Sequence, residues 1–328
     1  MSSRFRVQAA LAVILLAGAA SCMGDEGTVR RRFLSIGTAG TGGLYYPIGG
    51  AFASRMTARD SGRTYTAEVT GGSVENIHRV INGEMDLGFA IGTTVFEAYN
   101  GGQDFDTAQT SLRVVAPLYA NLTHVLVRDG AGLASIADFR GRRVSVGAAG
   151  SGTEQVAQQL LEAYGLDYSS VDERFLSFTE SAAALADGAI DAAILSVGYP
   201  ASAVLEAATT GRVRLLPIDE RHIGMLADRH AYYSQSAIPA ATYPGQDEEL
   251  STVSVLNWIV AREDLEPDIV ARVLDTLADD QETLRQAVEI AGQIRLTNLY
   301  AAPIPLHDAA REWLERRAAT IPADSTRI

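Results

Sequence analysis

The sequence predicts an α/β protein of two lobes, each a central β-sheet flanked by helices, with a ligand cleft between them. Three observations carry this expectation. A glycine-rich turn occurs twice, as "LSIGTAGTGG" from Leu34 and as "VSVGAAGSGT" from Val144. Each copy is followed by a second strand, turn and helix, and the C-terminal region reads as helices alone. Internal similarity of this kind sets the architecture before any single element does. Strands alternating with helices predict parallel sheets, here two lobes in tandem rather than one long sheet.

The first 22 residues carry Arg4 and Arg6, then the apolar stretch "VQAALAVILLAGAA", then "SC". A basic start, a short apolar run and small residues at the end describe an export signal. Cys22 is the only cysteine, so no disulfide can form within the chain, and its place after Ala19, Ala20 and Ser21 predicts lipid attachment at its thiol. Residues 23–32 read as a linker, with Arg30, Arg31 and Arg32 as a solvated charge run. Nothing later is long enough to cross a bilayer. The mature part is therefore expected outside the cytoplasm, periplasmic or on the cell surface, held by a lipid anchor.

In both glycine copies a short apolar strand enters the turn and a helical pattern leaves it, "YYPIGGAFASRM" and "EQVAQQLLEAYG". The second units are "TAEVTGGSVENIHRVINGEMDLGFAIG" and "RFLSFTESAAALADGAIDAAILSVG". In these, Ser73 and Ser181 read as helix starts, Gly83 and Gly188 as stops, and Asp86 and Asp191 as turn carboxylates before buried strands. The stretch around Pro117 with "NLTHVLVRDGAG", and the strand-like run after Gly245, read as the two crossings between lobes. The helices of "EPDIVARVLDTLADDQETLRQAVE" and "LHDAAREWLERRAA" repeat apolar residues at three and four, which predicts that they cover the sheet.

Composition removes several functions. With 328 residues and 47% hydrophobic content the chain can bury a large core, and a formal charge of −13 without a basic stripe argues against nucleic acid. All 27 basic residues are Arg, which excludes a Schiff-base lysine, a pyridoxal anchor and a P-loop lysine. The dinucleotide spacing fails as well, because the third glycine position holds Tyr45 in one copy and Gln155 in the other. His78, His124, His222, His230 and His307 are scattered, no metal or cofactor is expected, and no Gly-x-Ser-x-Gly elbow occurs.

What remains is a set of neutral donors at helix starts. In an open parallel sheet, helix N-termini beyond the strand ends present unpaired N–H groups with a positive dipole end. Thr41, Ser73, Ser151 and Thr153, with Thr93 and Thr94, add short hydroxyls, and one of Tyr45 and Tyr46 is expected to line the cleft. Such a set suits a carboxylate.

The blocks "IGTAGTGGLYYPIGGAFA", "TGGSVENIHRVINGEMDLGFA", "GRRVSVGAAGSGTE", "ADGAIDAAILSVGYP", "IPAATYPGQDE" and "PIPLHDAA" resemble, in order, those of the TAXI group of solute receptors of tripartite ATP-independent periplasmic (TRAP) transporters. The resemblance runs from about residue 33 to the C-terminus. It implies a type II periplasmic binding protein fold, with lobe 1 over residues 33–125 and 235–328 and lobe 2 over residues 126–234. It implies a monomeric receptor that closes on a glutamate-like amino acid or another dicarboxylate, and docks on TRAP membrane subunits without catalysis. By matching motif, the ligand-facing positions are Gly40, Thr41, Gly42, Gly43, Tyr45, Ser73, Asn76, Ser151, Gly152, Thr153, Gly198, Tyr199 and Pro200, joined by Thr93 and Tyr119 at strand ends. The chain departs from the group's pattern at "IGTTVFEAY", where a Gln and an acidic residue are usual, and at "GYP", where Gly-Val-Pro is common. A ligand-sensing lipoprotein with a signalling partner, or an enzyme on the same scaffold, are the competing expectations.

Overall fold

The computed structural model describes residues 33–102 and 104–320. The export signal, the linker and Cys22 lie outside them. The first half runs β1 (Phe33–Gly37), α1 (Tyr45–Arg59), β2 (Thr64–Glu68), α2 (Ser73–Ile81), β3 (Leu87–Ile91) and α3 (Gly92–Asn100). After the long strand β4 (Leu112–Arg128) the plan repeats as β5 (Arg143–Ser145), α4 (Gly152–Ala163), β6 (Asp172–Arg174), α5 (Phe178–Asp187), β7 (Ala192–Val197) and α6 (Ser202–Thr209). The chain continues through β8 (Val213–Leu216), α7 (Glu220–Arg229), β9 (Ser234–Ile238) and the second long strand β10 (Leu250–Arg262). It ends in α8 (Pro267–Asp279), α9 (Gln281–Ala287) and α10 (Asp308–Thr320).

The internal repeat is topological. Strands run β2-β1-β3 in the first half and β6-β5-β7 in the second, each trio parallel. Each trio then gains one long strand antiparallel to its inner edge, β10 on β3 and β4 on β7. Because β10 also pairs with β4, the ten strands among the described residues form one hydrogen-bonded sheet. This corrects the expectation of separate parallel sheets: the crossings are strands long enough to belong to both halves, and they run antiparallel to the trios they join.

The buried side chains nevertheless fall into separate clusters. One holds β4 up to Tyr119 and β10 from Trp258, together with α1, α2, α8 and α10. The others take β4 from Leu122 and β10 up to Val255, with Ile238 of β9. The core thus divides within both long strands at nearly one level. β9 and the start of β10 pack with the second half, beyond the boundary at 234 drawn from sequence, because their apolar residues face those clusters. The C-terminal helices cover the first half of the sheet as expected, with Ile269, Val273, Leu277 and Trp313 buried there.

The two turn carboxylates tie strands. Asp86 accepts from Ser35 N–H at 2.8 Å. Asp191 accepts from Arg143 N–H at 3.2 Å and from the guanidinium groups of Arg143 and Arg128 at 2.8 and 3.1 Å. Arg143, with help from Arg128, holds the Asp191 carboxyl well below the usual range. Among the described residues no helix is long and apolar enough to cross a membrane.

Candidate functional site

A cavity of about 430 Å³ lies where the two halves meet, a size common for small-molecule sites. Four helices begin on its wall: Leu44 and Tyr45 of α1, Gly72 and Ser73 of α2, Ser151 and Gly152 of α4, and Ser177 and Phe178 of α5. The first N–H groups of each have no partner inside their helix, and the dipole adds positive potential.

Three of these starts share one device. Glu75, Glu154 and Glu180 stand third in α2, α4 and α5 and turn back to the N–H groups of Gly71, Gly150 and Ser177 at 2.6, 2.7 and 2.8 Å. In α5 the serine before the helix completes the reciprocal bond, its Oγ accepting from Glu180 N–H, while in α4 Ser151 Oγ accepts from Glu154 N–H and Glu154 reaches one residue further back, to Gly150. The sequence reading placed the start of α5 at Ser181. Ser177 caps it instead, and Ser181 lies one turn inside, bonded to Ser145 Oγ at 2.7 Å. "SFTE" is the capping-box signal, and the apolar run after Ser181 begins only one turn later. Ser73 is likewise no side-chain cap, since its hydroxyl accepts from Ile91 N–H at 3.1 Å.

The glycines serve close approach between halves. A Cβ on Gly152 would lie 2.3 Å from Ile91 Cγ2 and 2.8 Å from Ser73 Oγ, and one on Gly42 would lie 2.5 Å from Thr179 Oγ1. Each glycine turn abuts the second helix start of the opposite half, a crossed arrangement that follows from the repeated topology. Further bonds join the halves: Ser202 Oγ to Gly42 O at 3.2 Å, Thr94 Oγ1 to Gln155 Oε1 at 2.5 Å, and Gln159 Nε2 to Glu97 Oε1 at 2.9 Å.

Of the positions named from sequence, Gly40, Thr41, Gly42, Gly43, Tyr45, Ser73, Tyr119, Ser151, Gly152 and Thr153 line the cavity. Asn76, Thr93, Gly198, Tyr199 and Pro200 do not. Asn76 is buried below it, donating to the carbonyls of Thr38 and Phe89, and Thr93 is fully buried. Gly198 packs against Leu44 and Tyr119, and the Tyr199–Pro200 bond is cis. Tyr45 faces the cavity, whereas Tyr46 is exposed.

Sequence reading missed Thr70, Asn121, Ser177, Phe178, Thr179 and Ser196, all on the wall. Ser196 was detectable as the one hydroxyl in the buried strand "AAILSV", and Asn121 as an amide in the apolar run of β4.

Among the described residues no ionised side chain lines the cavity. Its polar groups are neutral and mostly committed. The Tyr45 hydroxyl bonds Asn257, whose amide donates to Tyr119 O and to Asn121 Oδ1, each at 2.8 Å. Burial raises the pKa of the Tyr45 and Tyr119 hydroxyls, which therefore stay neutral. Two groups are left over. Tyr119 Oη and Ser196 Oγ are buried without a hydrogen-bond partner, in residues 1% and 3% exposed. An orphaned buried hydroxyl costs about 1–3 kcal/mol, so a pair of them on one cavity wall marks where a ligand's polar atoms belong.

The histidines lie elsewhere. His124, pushed down to about 4 by burial, bonds Leu122 O and the Tyr243 hydroxyl, and His78 stacks on Phe105. Among the described residues no group of three or more His, Cys, Asp or Glu is placed to hold a metal ion.

This architecture, two strand trios bridged by long crossing strands with a cavity at the helix starts between them, is the type II periplasmic binding protein fold. The chain belongs to the NMT1-like family, which it matches over residues 36–315. Similar solved structures include MatC from Rhodopseudomonas palustris with bound malate, 17% identical over 87% of this chain and 97% of that one, TM-score 0.56. PhnD1 from Prochlorococcus marinus in complex with methylphosphonate is 13% identical over 88% and 99%, TM-score 0.55. A Xanthomonas citri protein bound to ATP is 14% identical over 88% and 96%, TM-score 0.50. At these identities the likeness concerns the fold alone.

Proposed function

We propose that the chain is an extracytoplasmic solute receptor that encloses a small organic anion between two lobes and delivers it to the membrane subunits of a TRAP transporter. The observation that carries this reading is the cavity: four helix starts from both halves surround two buried hydroxyls that the protein itself does not use. Such a wall offers N–H and O–H donors without a fixed cation, which is what a carboxylate needs at a helix N-terminus. The anions in the MatC and PhnD1 structures agree with it. Lobe closure would turn about β4 and β10 near the level where the core divides, shifting an open–closed equilibrium so that only the loaded form docks. The lipid anchor at Cys22 would hold the receptor at the membrane. The TAXI resemblance supports the TRAP partner, and it implies a glutamate-like amino acid or a dicarboxylate as ligand.

A thermal-shift screen of the purified protein against organic acids, neutral sugars and metal ions tests the reading. A ligand present at 1,000 times its dissociation constant adds about 4 kcal/mol, a shift of several degrees. Stabilisation by sugars or metals, with none by organic acids, would overturn it.

A further inference from the structure

Resting on the receptor reading, we infer that of the two ligand classes the TAXI resemblance implies the site takes only the second: it admits organic acids without an ammonium group, so that α-amino acids, glutamate-like ones included, are excluded and their amino-free counterparts are ligands. A bound ammonium needs acceptors, preferably a carboxylate, because an unpaired buried charge costs several kcal/mol. Among the described residues no Asp or Glu lines the cavity wall. The acidic groups nearest in sequence, Glu75, Glu154 and Glu180, are turned back onto backbone N–H groups and do not line it.

Carbonyl oxygens could substitute for a carboxylate, but three in or beside the wall already accept from side chains. Thr38 O accepts from Thr70 Oγ1 and Asn76 Nδ2 at 3.0 and 2.7 Å. Ser196 O accepts from Asn121 Nδ2 and Thr153 Oγ1 at 2.9 and 3.4 Å. Tyr119 O accepts from Asn257 Nδ2 at 2.8 Å.

Four helix N-termini then place positive potential on all sides of any cation. The two orphaned hydroxyls, Tyr119 Oη and Ser196 Oγ, can donate to a carboxylate, or to an oxo or hydroxy oxygen next to it. Leu44, Val69, Ile91, Phe178 and Val197 complete the wall with apolar surface for an uncharged remainder.

Matched pairs that differ only in the amino group test this by calorimetry on the purified protein at neutral pH: glutamate against glutarate and 2-hydroxyglutarate, leucine against 4-methylpentanoate, phenylalanine against 3-phenylpropanoate. In every pair that binds, the amino-free acid is expected at least 100-fold tighter. Thr179→Asp adds a carboxylate at an exposed wall position near the start of α5, where an acidic residue suits the helix. It is expected to narrow that preference at least tenfold. An amino acid binding as tightly as its partner overturns the inference and leaves the receptor reading standing. Binding by no member of any pair, and by no acid in the wider screen, removes the receptor reading and this inference together.

Discussion

Asn257 Nδ2 donates to Asn121 Oδ1 at 2.8 Å, joining β10 to β4 at the level where both strands leave one core cluster for the next. The same amide group donates to Tyr119 O, and its oxygen accepts from the Tyr45 hydroxyl. One fully buried side chain thus links the crossing strands to the cavity wall. Asn257→Leu would strand three polar groups, each costing about 1–3 kcal/mol. Urea denaturation is expected to show a loss of about 3 kcal/mol or more. A loss under about 1 kcal/mol would show that water satisfies these groups instead.

The glycine turns differ in what they touch. Nothing lies within 4 Å of a Cβ on Gly40, whereas one on Gly152 would meet Ile91 and Ser73 of the opposite half. Gly40→Ala should therefore leave the melting temperature of the unliganded protein unchanged. Gly152→Ala should wedge the halves apart, weaken ligand binding at least tenfold and enlarge the radius of gyration in small-angle scattering. Equal behaviour of the two variants would show that the close approach is not needed for binding.

Glu97 sits between the halves, where α3 meets α4. Burial, and then the negative charge of Asp104, push its carboxyl up to about 7, with the Gln159 amide opposing; Glu162 adds to the raising and Tyr232 lies on the same contact. A folded value near 7 against an unfolded value of about 4.3 means that the folded state holds the extra proton in that window, so this group adds stability as pH falls from about 7 toward 4.3. Glu97→Gln should raise the melting temperature above pH 7, with the gain fading toward pH 4.5. A pH-independent difference would contradict the assignment.

Asp191 works in the opposite sense. Its carboxyl is held low by Arg143 and Arg128, so its contribution is present above the unfolded value of about 3.9 and is lost as pH falls below that. Asp191→Asn should lower stability at neutral pH and show a shallower acid limb below pH 4. Parallel acid limbs for variant and parent would contradict the pairing.

Much of this was legible because it repeats. The paired turns "GTAGTGG" and "GAAGSGT" located two helix starts on the cavity wall, and Asp86 and Asp191 were read correctly as turn carboxylates. Long-range pairing was hidden. Nothing local marks β4 and β10 as strands shared by both halves, since a run of 17 or 13 strand residues has the same alternation wherever its partners come from. The start of α5 lies one turn before the expected one because two serines, Ser177 and Ser181, offer the same signal, and only Ser177 has a glutamate, Glu180, three residues on to complete the box. Asn121 and Ser196 escaped because polar residues inside buried strands acquire meaning only when a cavity is seen beside them.

Tyr119 Oη and Ser196 Oγ, buried without a partner in the protein, are proposed to be kept free for the ligand. Calorimetric titration of the tightest-binding organic acid against the Tyr119→Phe/Ser196→Ala variant tests it most directly. Each hydroxyl bonded to an anion is worth about 1.5–3 kcal/mol, so affinity is expected to fall roughly 100-fold or more. The unliganded variant should melt no lower than the parent, since it loses no internal hydrogen bond. Unchanged affinity, or a variant that melts lower without ligand, would contradict the account.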